Sequence, residues 1–258
     1  MTSHVLLGAL IAATMAAEQP DVKTIIEKSV AANDSDFKAE PQFNHKERDR
    51  KKTSQVTMID GSPYERVLTE NGRPLSGERA DEEMKKQQKA EAERKAQTSE
   101  QREARIADYN KDRSHDHEMM AQLPAAFDFT LVGRRKIRGF QTWVLKATPK
   151  PGYKPPNMEA QVLPGMEGEI SIDQKTYEWV KVTAKVIHPV SIAGFLAQVQ
   201  PGTRFEVDRG PVGGGIWQIT HFSMQSHAKV LFLVNKNSAE EIWFYDFERA
   251  AAAKRGTE

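Results

Sequence analysis

The residues able to do chemistry are few and scattered. Of seven histidines, only the run His115-Asp116-His117-Glu118 brings histidine together with carboxylates. Residues two apart on a helix do not share a face. A metal there would need Asp112, His115 and Asp116 to converge, and the alternative is a solvated helix end. His221 and His227 lie six apart in one strand region, with no third ligand placed by the sequence. Asp34-Ser35-Asp36 lacks the glycine and distal glutamate of a calcium loop and reads as a solvated turn. Gly210-Pro211-Val212-Gly213-Gly214-Gly215 lacks the lysine and following helix that a phosphate loop requires, so it reads as a hairpin turn. There is no G-x-S-x-G elbow, H-E-x-x-H pair or Walker loop. Cysteine is absent, which removes disulfides, thiolate metal sites, cysteine nucleophiles and a lipidated cysteine. The expectation is a protein with no catalytic residues, no metal and no cofactor, and hence not an enzyme.

What the sequence does supply is apolar alternation. In Gly168–Val186, Ile170 and Ile172 alternate with polar neighbours, Asp173-Gln174-Lys175-Thr176 interrupts, and Val180, Val182, Ala184 and Val186 then share a face. Period two on both sides of a polar turn marks an antiparallel hairpin with one apolar face. A register shift of one residue would bring the Trp179 side inward instead. The same pattern recurs in Phe127–Leu131, Gly139–Ala147, Thr203–Asp208, Ile216–Met224, Lys229–Val234 and Glu241–Phe247. Leu231-Phe232-Leu233-Val234 is apolar on both faces and is expected to be central. Short strands spaced by turn signals argue for a barrel or a strongly curved sheet. Arg134, Lys136 and Arg138 share a strand face that is either solvated or in contact with anionic headgroups.

Around this β half lie three other segments. Val5–Met15 is a short apolar run ending in Ala16-Ala17, too short to span a bilayer but suited to a secretory signal cleaved near Ala17, although it has no basic n-region. A first buried helix is the alternative. Asp21 caps an expected helix to about Ala32, with Val22, Ile25, Ile26 and Val30 on one stripe. Residues 76–122 form a charged helical insertion in which Thr98-Ser99-Glu100-Gln101 resembles a capping box that starts a second helix. A helix polar all round has no face with which to cover a pocket, so a solvated insertion is expected ahead of a lid or docking arm. Over 258 residues, 37 lysines and arginines balance 36 aspartates and glutamates, leaving no global field to attract nucleic acid.

Several short runs, taken in order, resemble a known superfamily. They are Tyr64–Leu68, Asn71–Leu75, Phe127-Asp128-Phe129, Gly139-Phe140, Pro149–Pro155, Gly168–Asp173, Gly194-Phe195-Leu196, Gly202–Glu206, Gly215-Ile216-Trp217 and Tyr245-Asp246-Phe247. Together they are similar to the LolA-like, outer-membrane lipoprotein-sorting proteins, in a periplasmic branch of unknown function. The resemblance covers roughly residues 40 to 248. It implies an α+β, mainly β fold: an unclosed antiparallel β-barrel with helices on its concave side. The organisation would be a signal peptide over 1–17 and a single domain over 18–258. The 76–122 insertion departs from the short lid helices of the sorting carrier.

The implied function is a periplasmic carrier or binding protein holding a lipid, lipoprotein acyl chains or another apolar ligand. Membrane-bound donor or acceptor proteins would be further partners, and the protein would not itself be integral to a membrane. On such a sheet the cavity-lining positions are Trp143, Leu145, Ile170, Ile172, Val180 and Val182, then Phe195, Leu196, Phe205, Trp217 and Phe222, and finally Leu231, Leu233 and Phe244. The alternative is an envelope-sensing or structural interaction module whose cavity is filled by its own helices.

Overall fold

In the Gly168–Val186 hairpin, Asp173 closes the turn by accepting from the Thr176 backbone N–H at 2.9 Å and its hydroxyl at 2.9 Å. This hairpin sits within a larger sheet of a computed structural model that describes residues 20–40, 43–192, 197–230 and 234–250. Helix α1 spans Val22–Ala39, followed by strands β1 (Phe43–Arg48), β2 (Lys52–Ile59), β3 (Ser62–Glu70) and β4 (Arg73–Pro74). Helices α2 (Gly77–Lys95), α3 (Ser99–Ala121) and α4 (Leu123–Ala126) come next, then β5 (Phe127–Ile137) and β6 (Phe140–Pro149). A 3-10 segment over Glu159–Gly165 leads into β7 (Met166–Asp173) and β8 (Trp179–Val186). The chain ends in β9 (Val190–Ile192), β10 (Ala197–Val199), β11 (Arg204–Gly213), β12 (Ile216–Val230) and β13 (Val234–Arg249). The expected signal segment and Phe195, Leu196, Leu231 and Leu233 fall outside the described residues.

All described pairings are antiparallel, in the order β4-β3-β2-β1-β13-β12-β11-β8-β7-β6-β5, with β9 and β10 branching from β12. The path does not return on itself, so the sheet is open. Helix α1 lies across one face of the sheet and packs against both β5 and β12. Those strands are five spacings of about 4.8 Å apart, a span that its 18 residues cover along their length at about 1.5 Å each. We call the α1 side the inner face.

Three expectations need correction. Helix α1 continues to Ala39 rather than ending at Asn33–Asp36, because Asn33 and Asp36 extend the stripe of Ile25, Ile26 and Ser29 and are buried with it. Of the strand expected over Lys229–Val234, Lys229 and Val230 end β12 and Val234, paired to Val230, starts β13, while 231–233 lie outside the described residues. Both strands are long, at 15 and 16 residues. The charged insertion, expected to be solvated, is docked. Arg94 donates to the Ile59 and Ser62 carbonyls at 2.9 and 2.8 Å, and Arg102 donates to Asp60 at 2.8 Å. Arg105 donates to the Ser62 hydroxyl at 2.6 Å, and Ile106 packs over Gly61. The anticipated capping box at Thr98–Gln101 is present. From the β2–β3 turn, α3 runs on to pack against α1, the 3-10 segment and α4.

Gly168 marks a close strand approach on the inner face. A Cβ there would overlap the Thr183 carbonyl oxygen and crowd Ala184 Cα at 3.1 Å, and both atoms are backbone that cannot rotate away. Gly168→Ala is expected to cost about 1–3 kcal/mol, read as a lower denaturation midpoint with unchanged slope. An unchanged midpoint would mean that β7 and β8 are not paired in this register.

Candidate functional site

The inner face is lined by two apolar clusters. In the first, Trp143, Leu145, Ile170, Ile172 and Trp179 from the sheet pack on Ile25 and Ile26 of α1. Ile25, Leu145 and Ile172 have no exposed surface at all. The second gathers Phe127, Ala147, Met166 and Val186 under Leu163 and Ala160 of the 3-10 segment, with Phe205 half-buried against it. Alternation makes both sets the same face: 143, 145 and 147 on β6 pair with Ile172, Ile170 and Gly168 on β7.

The β7–β8 ladder is interrupted by a bulge. Trp179 stands opposite Ile172, and Val182 opposite Ile170, with Ser171 facing Lys181 between them. An extra residue on one strand reverses the alternation beyond it. Trp179 and Val182 therefore share the inner face, and Val180, though fully buried, lies outside the α1 cluster. The simple alternation of Val180 with Val182 could not reveal this shift. The indole Nε1 atoms of both Trp143 and Trp179 are buried without hydrogen-bond partners.

Beyond α1 the inner face continues over β11 to β13. Phe205 pairs with Met224, Val207 with Phe222, and Phe222 with Ile242. These five side chains are only half-buried, and Ile219, paired with Arg209, is 40% exposed. Phe244 is half-buried opposite Glu47, its ring 5.9 Å from that of His45. Trp217 is buried against Phe140, with ring centroids 4.7 Å apart. Of the positions singled out from sequence, the structure gathers Trp143, Leu145, Ile170, Ile172 and Val182 under α1. It sets Phe205 and Phe222 along the half-open extension, and Trp217 at the boundary.

At that boundary stands a polar cluster that sequence reasoning missed. Arg209 on β11 donates to Asp36 Oδ2 at 2.7 Å, to Asn33 Oδ1 at 2.5 Å, to the Trp217 carbonyl at 2.9 Å and to Glu178 Oε2 at 3.3 Å. The Trp217 N–H donates to Asp36 Oδ1 at 3.0 Å. Arg209, Asp36, Asn33 and Glu178 are all buried. Burial, reinforced by the neighbouring Asp36 carboxylate and opposed by Arg209, pushes the Glu178 carboxyl up to about 8. One guanidinium cannot neutralise two desolvated carboxylates, and Glu178 is the one whose proton is held more tightly. The usable signal was the helical spacing of Ile25, Ser29, Asn33 and Asp36, which marks all four as inward-facing.

No protein-family model matches the chain, and no curated protein matches it. Among solved structures it is similar to a LolA superfamily protein from Nitrosomonas europaea, at 10% identity over 91% of this chain and 96% of that one, with a TM-score of 0.34. It is also similar to a DUF1329 family protein from Desulfovibrio piger, at 11% identity over 90% and 95%, TM-score 0.33. A third is the MucA/MucB complex of Pseudomonas aeruginosa, at 11% identity over 87% and 99%, TM-score 0.25. With identities near a tenth and TM-scores of 0.25 to 0.34, the fold rests on the strand order and register themselves.

The Glu178 proton makes stability depend on pH. A carboxyl whose folded pKa lies above its unfolded value favours folding fully at low pH, and that contribution is lost as pH rises. Here the loss should run from the ordinary glutamate range near 4.5 up to about 8. Melting temperatures measured across that window should fall in the wild type, and Glu178→Gln should flatten the decline. A Glu178→Gln profile parallel to wild type would sink the assignment. Asp36→Ala, which leaves the buried Trp217 N–H and one Arg209 donor without an acceptor while Glu178 still faces the guanidinium, should cost about 1–3 kcal/mol in the same melts.

Proposed function

We propose that this protein is a non-enzymatic, periplasmic binding or carrier protein for a lipid or another ligand bearing an acyl chain. The observation that carries this reading is the uneven cover of the inner face. Under α1 the apolar floor is sealed, but along Val207, Phe222, Met224 and Ile242 the same face is only half-buried. An apolar strip of this kind on a concave surface is where a hydrocarbon chain recovers the most free energy. Each methylene it buries contributes about 0.8 kcal/mol, so a chain of ordinary length needs no polar chemistry to be held. Among the described residues no helix is long and apolar enough to cross a membrane.

A second reading is favoured by the sealed floor itself. With Ile25, Leu145 and Ile172 wholly buried, α1 acts as a built-in plug, and the protein would serve as an interaction module with no lipid cargo. Protein exported in a Gram-negative host, purified without detergent and examined by native mass spectrometry and organic extraction, should carry an acyl lipid. The delipidated form should bind a fluorescent fatty acid, and Phe222→Glu should weaken that binding at least about tenfold while Trp143 and Trp179 stay buried by fluorescence. Absence of extracted lipid, together with no binding of the probe, would overturn the carrier reading. A partner lost on deletion of residues 77–112, with lipid binding absent throughout, would establish the second.

A further inference from the structure

The outer face of the sheet holds a group of ligating side chains that the apolar reading does not use. Val207 and Phe222 face inward, so their neighbours Glu206, Asp208, His221 and Ser223 face outward. Asp208 stands between Lys181 of β8 and His221 of β12, and His221 stands opposite Trp243 of β13. His221 is only 7% exposed, its ring packed on Trp243 with centroids 4.1 Å apart. Its Nδ1 lies 3.7 Å from Asp208 Oδ2 and its Nε2 lies 3.5 Å from Glu241 Oε1. Among the described residues neither nitrogen has a hydrogen-bond partner, and neither does the buried Oδ1 of Asp208. A buried imidazole held between two carboxylates, yet bonded to neither, leaves the desolvation of both nitrogens uncompensated.

We propose that Glu206, Asp208 and the Nδ1 of His221 form a binding site for a divalent transition cation of the zinc type. One ligand atom from each lies within 4.8 Å of the others. Imidazole nitrogen and carboxylate oxygen suit such an ion at about 2.0–2.2 Å, which rotation of the two carboxylate side chains can reach. Glu241 on the far nitrogen completes the arrangement, because a ligating histidine ordinarily donates its other N–H to a carboxylate that fixes its tautomer. Glu206 also borders a groove of about 500 Å³ between Glu169, Lys185 and Arg204, which supplies a solvent path to the site.

Resident cations set the terms of binding. Lys181 Nζ is ion-paired to Glu206 and lies 3.7 Å from Asp208 Oδ1, while Arg138 Nη1 lies 3.5 Å from Asp208 Oδ2. Three carboxylates against these two cations leave a net negative charge for an ion to neutralise. The ion must take the place of the Lys181 ammonium, whose flexible stem lets it swing into solvent. Lysine and metal therefore compete, and removing the lysine should favour the metal. A purely structural ion pair makes the opposite demand.

The test is titration of the full chain with cobalt(II) and then zinc at neutral pH, following cobalt absorption and Trp243 fluorescence. Saturable binding at one ion per chain is expected. His221→Gln and Asp208→Asn should each weaken it at least about tenfold, in variants shown by circular dichroism to remain folded. Lys181→Met should tighten it several-fold, a gain that a misfolded variant cannot mimic. Equal affinity in wild type and His221→Gln, or weaker binding in Lys181→Met, would overturn the site. So would an imidazole that nitrogen-15 spectra show protonated at both nitrogens in the presence of the ion. The apolar inner face is untouched by these changes, so this outcome is independent of lipid binding.

Discussion

The contact between Arg209 and Asp36 holds helix and sheet to one geometry. Desolvating a guanidinium and a carboxylate costs several kcal/mol per ion, and the pair offsets this only when its remaining donors and acceptors are also satisfied. That demand reaches outward. Asp36 must be presented by a helix that continues to Ala39, and the Trp217 backbone must offer both its carbonyl and its N–H. Asn33 and Glu178 complete the shell from one turn back on α1 and from the residue that precedes β8. Apolar packing of Ile25 and Ile26 would tolerate sliding of α1 along the inner face. The charged cluster does not, so it fixes where the helix lies and how much of the face it covers.

An open sheet must also manage its two edges. Here α3 links the two ends of the sheet. Its first turns are pinned by Arg102 and Arg105 to the β2–β3 turn, while its last residues, Met119 and Met120, pack beside α4 near β5. Midway, Arg113 donates to Glu40 at 2.8 Å and to the Phe37 carbonyl, and its guanidinium lies over the Phe37 ring. The edge strand β5 carries Arg134, Arg135 and Lys136 and the irregularity at Gly133. Charge and a kink of this kind discourage pairing with another chain. A helix with scarcely an apolar stripe is thus held by a sequence of polar clamps.

Much of the β architecture was legible because alternation reports directly on a half-buried strand. Ile170, Ile172, Trp143 and Leu145 alternate with their neighbours in sequence and share one face of the sheet for that reason. What was illegible falls into two kinds. A bulge is a backbone event with no side-chain signature, so the inward turn of Trp179 could not be read from Trp179 itself. Buried charge inverts the usual expectation that aspartate faces water, which is why Asp36 looked like a helix end and the arginines of α2 and α3 looked like a solvated surface. Asp208, Glu206 and His221 come from two strands whose pairing sets them side by side. Their sequence separation carries no hint of it.

The position of the charged cluster bears on how a ligand would be held. Arg209 is paired with Ile219, and Trp217 with Pro211, so the cluster stands between the sealed floor and the half-buried strip of β11 to β13. On the proposed reading, a chain laid along Val207 and Phe222 gains contacts without displacing Ile25 or Ile26, and the cost of uncovering a filled core never arises. A ligand that entered beneath α1 would instead have to break the Asp36–Arg209 pair and expose the first apolar cluster together. Few acyl chains bury enough methylenes to offset both losses at about 0.8 kcal/mol each. The strip beside the helix is therefore the energetically accessible site, and α1 forms its wall.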